Sequence, residues 1–426
     1  MTIVLGRRHS QLRVLTSYLA LLLAMAIVTP ALGEELPGAD LASIQAWLSA
    51  HNPELRVRAL DAQAADARIQ PAGALPDPML SVEFRDIDID RPRVSPSQVG
   101  NTLYQVRQRF PLWGKRELAR EVARQEASAS LLMRDATALE LQADASVAYV
   151  RYWHAGASVA VVERMIKLLE DLQRLAETRY SAGLAPQQDA IKAQVETTAM
   201  RRDLIERRAM GREAAATLNT LLAREPDAPL ATPIAAPALP LTASLQQILT
   251  AIPAQHPMVQ AQAHMVVAND RMAEMVRRER YPDINAGLGL MQSGNRLASW
   301  ELMFEVDVPL QQTARRNRER AALLVRDSAL ERQSAIVTEL RGRVGEAWAR
   351  WQSALDQRRL IESPLLPQAE ANFHSALASY QVGAVDFGTL LEALRQWLGA
   401  RLDQVDAERD ELSAAAQVRA IHGALQ

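Results

Sequence analysis

Landmarks in the first half of this chain return about 200 residues later, in the same order. The stretch HNPELRVRALDAQAADARIQPAGALPDPMLSV opens at His51, and its echo QHPMVQAQAHMVVANDRMAEMVRRERYPDINAGL opens at Gln255. RQRFPLWGKRE near residue 110 returns as EVDVPLQQTARR near 308, and TRYSAGLAPQQDAIKAQ near 180 returns as ASYQVGAVDFGTLLEAL near 380. Pro76 pairs with Pro282, Pro111 with Pro309, and Gly183 with Gly383. A chain written this way must fold as two copies of one unit packed together. The halves are joined by REPDAPLATPIAAPALPLT, residues 224–242, whose five prolines forbid a regular helix. The chain therefore divides into a first repeat, 34–242, and a second repeat, 243–426.

Each repeat carries the same succession of periods. A helical segment (41–72, then 243–280) leads into two alternating segments (79–86 and 102–110, then 283–291 and 300–308). A long helical stretch follows (115–180, then 313–380). After a glycine turn comes a returning helix (187–223, then 388–424). At 1.5 Å per residue each long helix reaches about 100 Å, and each returning helix about half that. A returning helix placed end to end with the helix that opens its repeat matches the long one. The expected architecture is parallel columns of equal height, two per repeat. Leu118, Val122, Ala129, Leu132, Ala136 and Leu139, continuing to Ala157, keep a 4-3 lattice. Leu323, Leu330, Val337, Leu340, Val344, Ala347 and Trp351 do the same. Such spacing implies packing along a seam. Aromatics are only 4% of residues, and small alanines on the seams allow close helix approach. Pro364 and Pro367 should kink the second long helix.

The alternating segments have two unlike faces. Leu80, Val82 and Phe84 oppose Ser81, Glu83 and Arg85; Tyr104, Val106 and Phe110 oppose Gln105, Arg107 and Arg109. Ile284, Ala286, Leu288 and Leu290 oppose Asn285, Gly287, Gly289 and Met291. Trp300, Leu302, Phe304, Val306 and Val308 oppose Glu301, Met303, Glu305 and Asp307. A half-buried sheet in a soluble protein alternates too. Length, end aromatics and an export signal favour a membrane β-barrel instead. Four strands cannot close one, and open edges are excluded from lipid. Two copies give eight strands with a filled interior; three give twelve with an aqueous lumen, the favoured arrangement.

The export signal is residues 1–33. Arg7, Arg8 and Arg13 precede an apolar run, Leu15 to Val28, and Ala31-Leu32-Gly33 supplies small residues before a cut after Gly33. The absence of cysteine excludes disulfides, thiolate metal sites, cysteine nucleophiles and a lipid anchor on a mature N-terminal cysteine. A net charge of −2 and an extracytoplasmic address argue against nucleic acid as a partner. The histidines form no metal or catalytic pattern, and no nucleophile or phosphate motif marks an enzyme. Met258, Met265 and Met272, seven apart with Met275 and His264 nearby, read as core filling. ARRNRERAA, residues 314–322, reads as a solvated helix start. A secreted coiled-coil scaffold without a pore explains the helices but has no use for four amphipathic strands.

ALPDPMLSV entering the first strand, QRFPLWGKR leaving the second, and TRYSAGLAPQQD and SYQVGAVDFGTLLEA at the helix turns resemble the TolC family of outer-membrane efflux channels. The resemblance covers nearly the whole chain after the leader. The Pro-x-x-Gly-Lys-Arg junction and LLPQAE resemble most its heavy-metal (CzcC/CusC-like) branch. The family implies a mainly α fold with a small β part: a homotrimer with one shared 12-stranded barrel in the lipid of a Gram-negative outer membrane, and a helical tunnel in the periplasm. It implies a periplasmic adaptor (membrane fusion protein) and an inner-membrane resistance-nodulation-division (RND) transporter as partners, passive export of heavy-metal cations or of drugs, and no cofactor or resident metal. On this resemblance Tyr180, Gly183, Leu184, Tyr380, Val382 and Gly383 are adaptor-contacting tips. Asp386 and Glu392 are candidates for a periplasmic gate, and Arg395 departs from an acidic residue found in some members. Pro111, Trp113, Gly114 and Pro309 mark the joint of barrel and tunnel. Glu83, Arg107, Arg109, Glu301, Glu305 and Asp307 line the barrel lumen.

Overall fold

The computed structural model describes residues 36–90 and 92–422; the expected leader, 1–33, lies outside them. In chain order the elements are α1 (Leu41–His51), α2 (Pro53–Ala67), the single turn α3 (Ile69–Ala72), β1 (Met79–Arg85), β2 (Asn101–Phe110), α4 (Lys115–Ser181) and α5 (Gln187–Leu221). The second repeat follows as α6 (Leu245–Gln255), α7 (Pro257–Arg278), β3 (Ile284–Ser293), β4 (Arg296–Val306), α8 (Gln312–Leu360), a π turn (Ile361–Leu365), α9 (Leu366–Gln381) and α10 (Phe387–His422). Most of the chain is helical, with one four-stranded antiparallel sheet in the order β1-β2-β3-β4.

Three features differ from the reading of the sequence. The opening helix of each repeat is broken, at Asn52 and at His256. Both residues precede proline and take extended backbone, with ψ of 123° and 125°. Proline disfavours the helical region for the residue before it, and each displaced residue caps the next helix. Asn52 Oδ1 accepts from the Glu54 and Leu55 amides at 2.8 and 3.2 Å; His256 Nδ1 accepts from the Met258 amide at 3.2 Å. Second, the expected kink at Pro364 is a single π turn between α8 and α9, where a wider turn accommodates the missing amide. Third, β4 begins at Arg296, because Gly294-Asn295 makes a tight hairpin from Ser293.

The columns are visible in the packing. Asn52 Nδ2 donates to Leu221 O at 3.0 Å and Trp47 Nε1 to Leu222 O at 3.2 Å, so the end of α5 abuts the α1–α2 break. Column α2/α5 packs on α4, α4 on α7 and α10, and these on α8 and α9. Two equivalent cores sit where columns are spliced: Ile44, Leu48, Ala145 and Leu218 in the first repeat, Ile248, Ile252, Val344 and Val418 in the second. A third core, around Leu169, Phe373, Phe387 and Leu390, welds the two helical hairpins at the far tip. Among the described residues no helix is long and apolar enough to cross a membrane.

Candidate functional site

The sheet registers its side chains into rows. Leu80, Val106, Leu288 and Leu302 lie side by side, followed by Val82, Tyr104, Leu290 and Trp300. The first row is 70%, 48%, 54% and 59% exposed, and Trp300 70%. Among the described residues no helix packs extensively across the sheet. Apolar surface on this scale is costly in water, at roughly 25 cal/mol per Å². The opposite face carries Ser81, Gln105, Gly289 and Glu301 in one row and Arg109, Asn285 and Glu305 in another. Glu83, Arg107 and Glu301 thus share the polar face with Arg109 and Glu305, and Asp307 follows β4 with its amide on Asp283 O at 3.1 Å. Gly287 leaves the room through which Arg107 lies across the wall, since a Cβ there would meet Arg107 Cγ at 3.0 Å. Among the described residues β1 and β4 each have one unpaired edge.

The joint between sheet and helices is organised by a carboxylate that the reading of the sequence did not single out. Asp283 is buried. It accepts from Lys115 Nζ at 2.8 Å, the Leu112 amide at 3.1 Å and Arg109 at 3.1 Å. Burial alone pushes the carboxyl up, but the hydrogen bonds from Lys115, Leu112 and Arg109 outweigh it and hold it below the usual carboxylate range. After Pro111 the chain turns through Trp113 and Gly114, both left-handed at φ 62° and 71°. Glycine adopts this without strain; tryptophan is held there by its contacts. The Trp113 indole donates to Pro282 O at 2.8 Å and packs tilted against Tyr281 with ring centroids 5.1 Å apart, and the Trp113 carbonyl accepts from Arg278 at 2.8 Å. Pro309 lies in the equivalent place of the second repeat, between β4 and α8. The repeated Pro-Asp of LPDP and YPDI is the signal by which Asp283 was findable.

At the tip both helical hairpins turn on a left-handed glycine, Gly183 at φ 69° and Gly383 at φ 79°. Each turn is closed by the same hydrogen bond, Leu184 N–H to Arg179 O and Ala384 N–H to Ser379 O, both 2.8 Å. Tyr180, Leu184 and Val382 project into solvent, Val382 at 79% exposure. Tyr380 sits beneath the surface, because its hydroxyl donates to buried Asp189 at 3.1 Å and the Arg179 guanidinium covers its ring at 5.1 Å. Burial and the Asp189 carboxylate push the Tyr380 hydroxyl up to about 12. Arg179 also donates to Gln381 O.

Asp386 caps α10, accepting from the Thr389 amide at 2.7 Å and hydroxyl at 3.0 Å. Those two bonds hold its carboxyl below the usual range. Glu392 is exposed and accepts from Gln396 at 3.3 Å. Arg395 does not join Glu392 in an acidic cluster; it grips Glu196 of α5 with two bonds of 3.0 and 2.6 Å. Asp189 and Glu196 were missed as well. They lie seven apart on α5 among buried Ala190 and Ala193, a polar intrusion on an apolar seam. The Tyr380–Asp189 and Arg395–Glu196 contacts tie the second hairpin to the first.

Comparison with protein families finds a match to the model described as "Outer membrane efflux protein", over residues 47–224 and 249–424. A search of curated proteins found no sequence match. Solved structures share the fold. CusC superposes with a TM-score of 0.77 at 18% identity, over 91% of this chain and 92% of that one. The outer-membrane channel OprN gives 0.76 at 17% identity, over 90% and 89%. VceC of Vibrio cholerae gives 0.75 at 16% identity, over 89% and 95%.

Proposed function

The chain belongs to the outer membrane efflux protein family, and from that premise we propose that it is the exit duct of a tripartite efflux system. Three copies close one twelve-stranded β-barrel in the outer membrane, and their helices continue it as a periplasmic tunnel. The duct performs no catalysis; it provides a wet path. One observation carries this reading: among the described residues the sheet exposes its apolar face and leaves both edges unpaired. Neither is tolerable in water for a lone protomer, and both are resolved when edge meets edge in lipid.

The helical layer supports the same closure. Its outer columns, α2/α5 and α8/α9, pack on the inner helices α4, α7 and α10. Both leave apolar side chains in solvent: Val57, Leu60, Ile191 and Val195 on one, Leu324, Val325, Leu330 and Leu360 on the other. The open columns are joined in the chain to the edge strands, α2 leading into β1 and α8 following β4. A head-to-tail ring satisfies both layers with one rotation.

In this reading Glu83, Arg107, Arg109, Glu301, Glu305 and Asp307 face the lumen, and Tyr180, Leu184 and Val382 meet a periplasmic adaptor that links the duct to an inner-membrane transporter of the RND class. Glu392 lines the constriction, where threefold symmetry brings like charges together. Asp386 sits beside it, and the Tyr380–Asp189 and Arg395–Glu196 contacts hold the second hairpin inward. Residues 1–33 direct export. Metal cations are the proposed cargo, on the resemblance carried by PLWGKR and LLPQAE.

The test is assembly and conductance. The full chain, expressed in a Gram-negative host, should appear in outer-membrane fractions as heat-modifiable trimers that form channels in planar bilayers. Glu392→Gln should raise single-channel conductance, and Tyr380→Phe should increase the open fraction. A stable soluble monomer defeats the duct; unchanged conductance removes Glu392 from the constriction. A deletion strain sensitised to dyes but not to cobalt, zinc, cadmium or copper would replace metals with drugs as cargo.

A further inference from the structure

Just below the sheet, the chain carries a recess that neither the lumen nor the tip uses. β4 ends at Val306, and Val308 and Leu310 carry the exposed apolar residues of that strand on into the connection to α8. Val308 is 66% exposed and Leu310 82%. With Gln311 and Ala314 they border a recess of about 330 Å³ whose remaining lining is Arg315 and Arg318. The two arginines are three apart on α8 and so share one helix face. Arg315 donates through one terminal nitrogen to Glu279 O, while its Nε is enclosed and makes no hydrogen bond. Arg318 lies 3.5 Å from the Glu279 carboxylate. Two guanidinium groups against one carboxylate leave the recess positive, and the first turn of α8 adds its partial positive charge.

The order from the sheet downward is exposed aliphatic side chains, then cations. A phospholipid presents the matching order, acyl chain then phosphate. We propose that this recess binds the headgroup phosphate of an anionic phospholipid, with Arg315 and Arg318 on the phosphate oxygens and Val308 and Leu310 against the first methylenes. Guanidinium forks suit phosphate oxygens, and the terminal nitrogens of Arg315 and Arg318 are the donors that can reach them. The proposal rests on the membrane reading above, which makes the apolar face the lipid side. The recess sits by the free β4 edge, so a closed ring carries one at each seam between copies.

The experiment uses the full-length assembled protein in detergent micelles and titrates phosphatidylglycerol, phosphatidylcholine and inorganic phosphate separately. Each arginine near an anionic lipid surface contributes roughly a factor of five, so Arg315→Gln/Arg318→Gln should weaken phosphatidylglycerol binding roughly 25-fold. Phosphatidylcholine binding should not change. Arg212→Gln/Arg332→Gln, which removes the same charge elsewhere, should leave both intact. Equal affinity of the unmutated protein for the two lipids overturns the proposal, and this arm decides even if the variant fails to assemble. Equal losses in the two double variants, or displacement of the lipid by inorganic phosphate at equal concentration, also overturn it. A chain that never enters membranes defeats the duct reading instead, so the two failures are distinct.

Discussion

Replacing Asp283 with asparagine should loosen the joint between sheet and helices. The carboxylate is buried and accepts from Lys115 at 2.8 Å, and from the Leu112 amide and Arg109 at 3.1 Å each. Asparagine keeps the shape but turns an amide NH₂ toward at least one of these donors. The Lys115 side chain is 13% exposed and would lose its counter-charge in a poorly solvated place; Arg109, at 56%, recovers its loss in water. Removing one partner of a buried pair costs roughly 3–5 kcal/mol. Discounting the solvated Arg109 contact leaves about 2–4 kcal/mol. A cycle with Lys115→Met should show coupling of about 1–3 kcal/mol. The pH dependence has a definite sign. The folded carboxyl is depressed, so its contribution is present above the unfolded pKa and is lost as pH falls through the folded one. Chemical unfolding of the purified protein, at neutral pH and at acid steps below the ordinary carboxylate range, reads both effects; with Trp113 as the sole tryptophan kept, its indole against Tyr281 reports the joint itself. Asp283→Asn should unfold at lower denaturant and lose that acid-sensitive limb. An unchanged midpoint with additive single mutants would refute the reasoning.

Leu302→Arg puts a cation on the exposed apolar face and should cost roughly 2–4 kcal/mol if that face meets mid-bilayer, blocking assembly; Glu301→Gln, one residue along on the polar face, should assemble normally and reduce cation preference in reversal-potential measurements. If the two assemble equally well, the two-faced reading fails. Asp386→Ala removes the α10 cap. Hydrogen exchange at the Thr389 and Leu390 amides should rise several-fold, an effect reproduced in the unmutated protein only as pH falls below the ordinary carboxylate range, because the folded carboxyl is depressed. Unaltered exchange at those amides would show that the cap is idle.

Much of the architecture was legible because it is local. The 2-residue alternation around Leu80, Val106, Leu288 and Leu302 placed the strands and their two faces, while the register that lines them into rows is set by the fold. Gly183 and Gly383 marked the tips because a left-handed residue ends each helix there. The breaks at Asn52 and His256 were written in the sequence too, as Asn-Pro and His-Pro, but helical periodicity on either side masked them. Tyr380 matched a tip motif, yet an aromatic ring beside a turn can point outward or inward, and here packing against Phe387 turns it inward.

Period and repeat alone determined the long helices, the two-faced strands and the duplication, since each follows from backbone geometry acting over a few neighbouring residues. The pairings of charges were decided only by the fold. Lys115 meets Asp283 across 168 residues, Tyr380 meets Asp189 across 191, and Arg395 meets Glu196 across 199. Any acid on a helix or beside a strand looks solvated in one dimension. Which of them is buried against a distant cation depends on how the two repeats are laid side by side, and no local period records that.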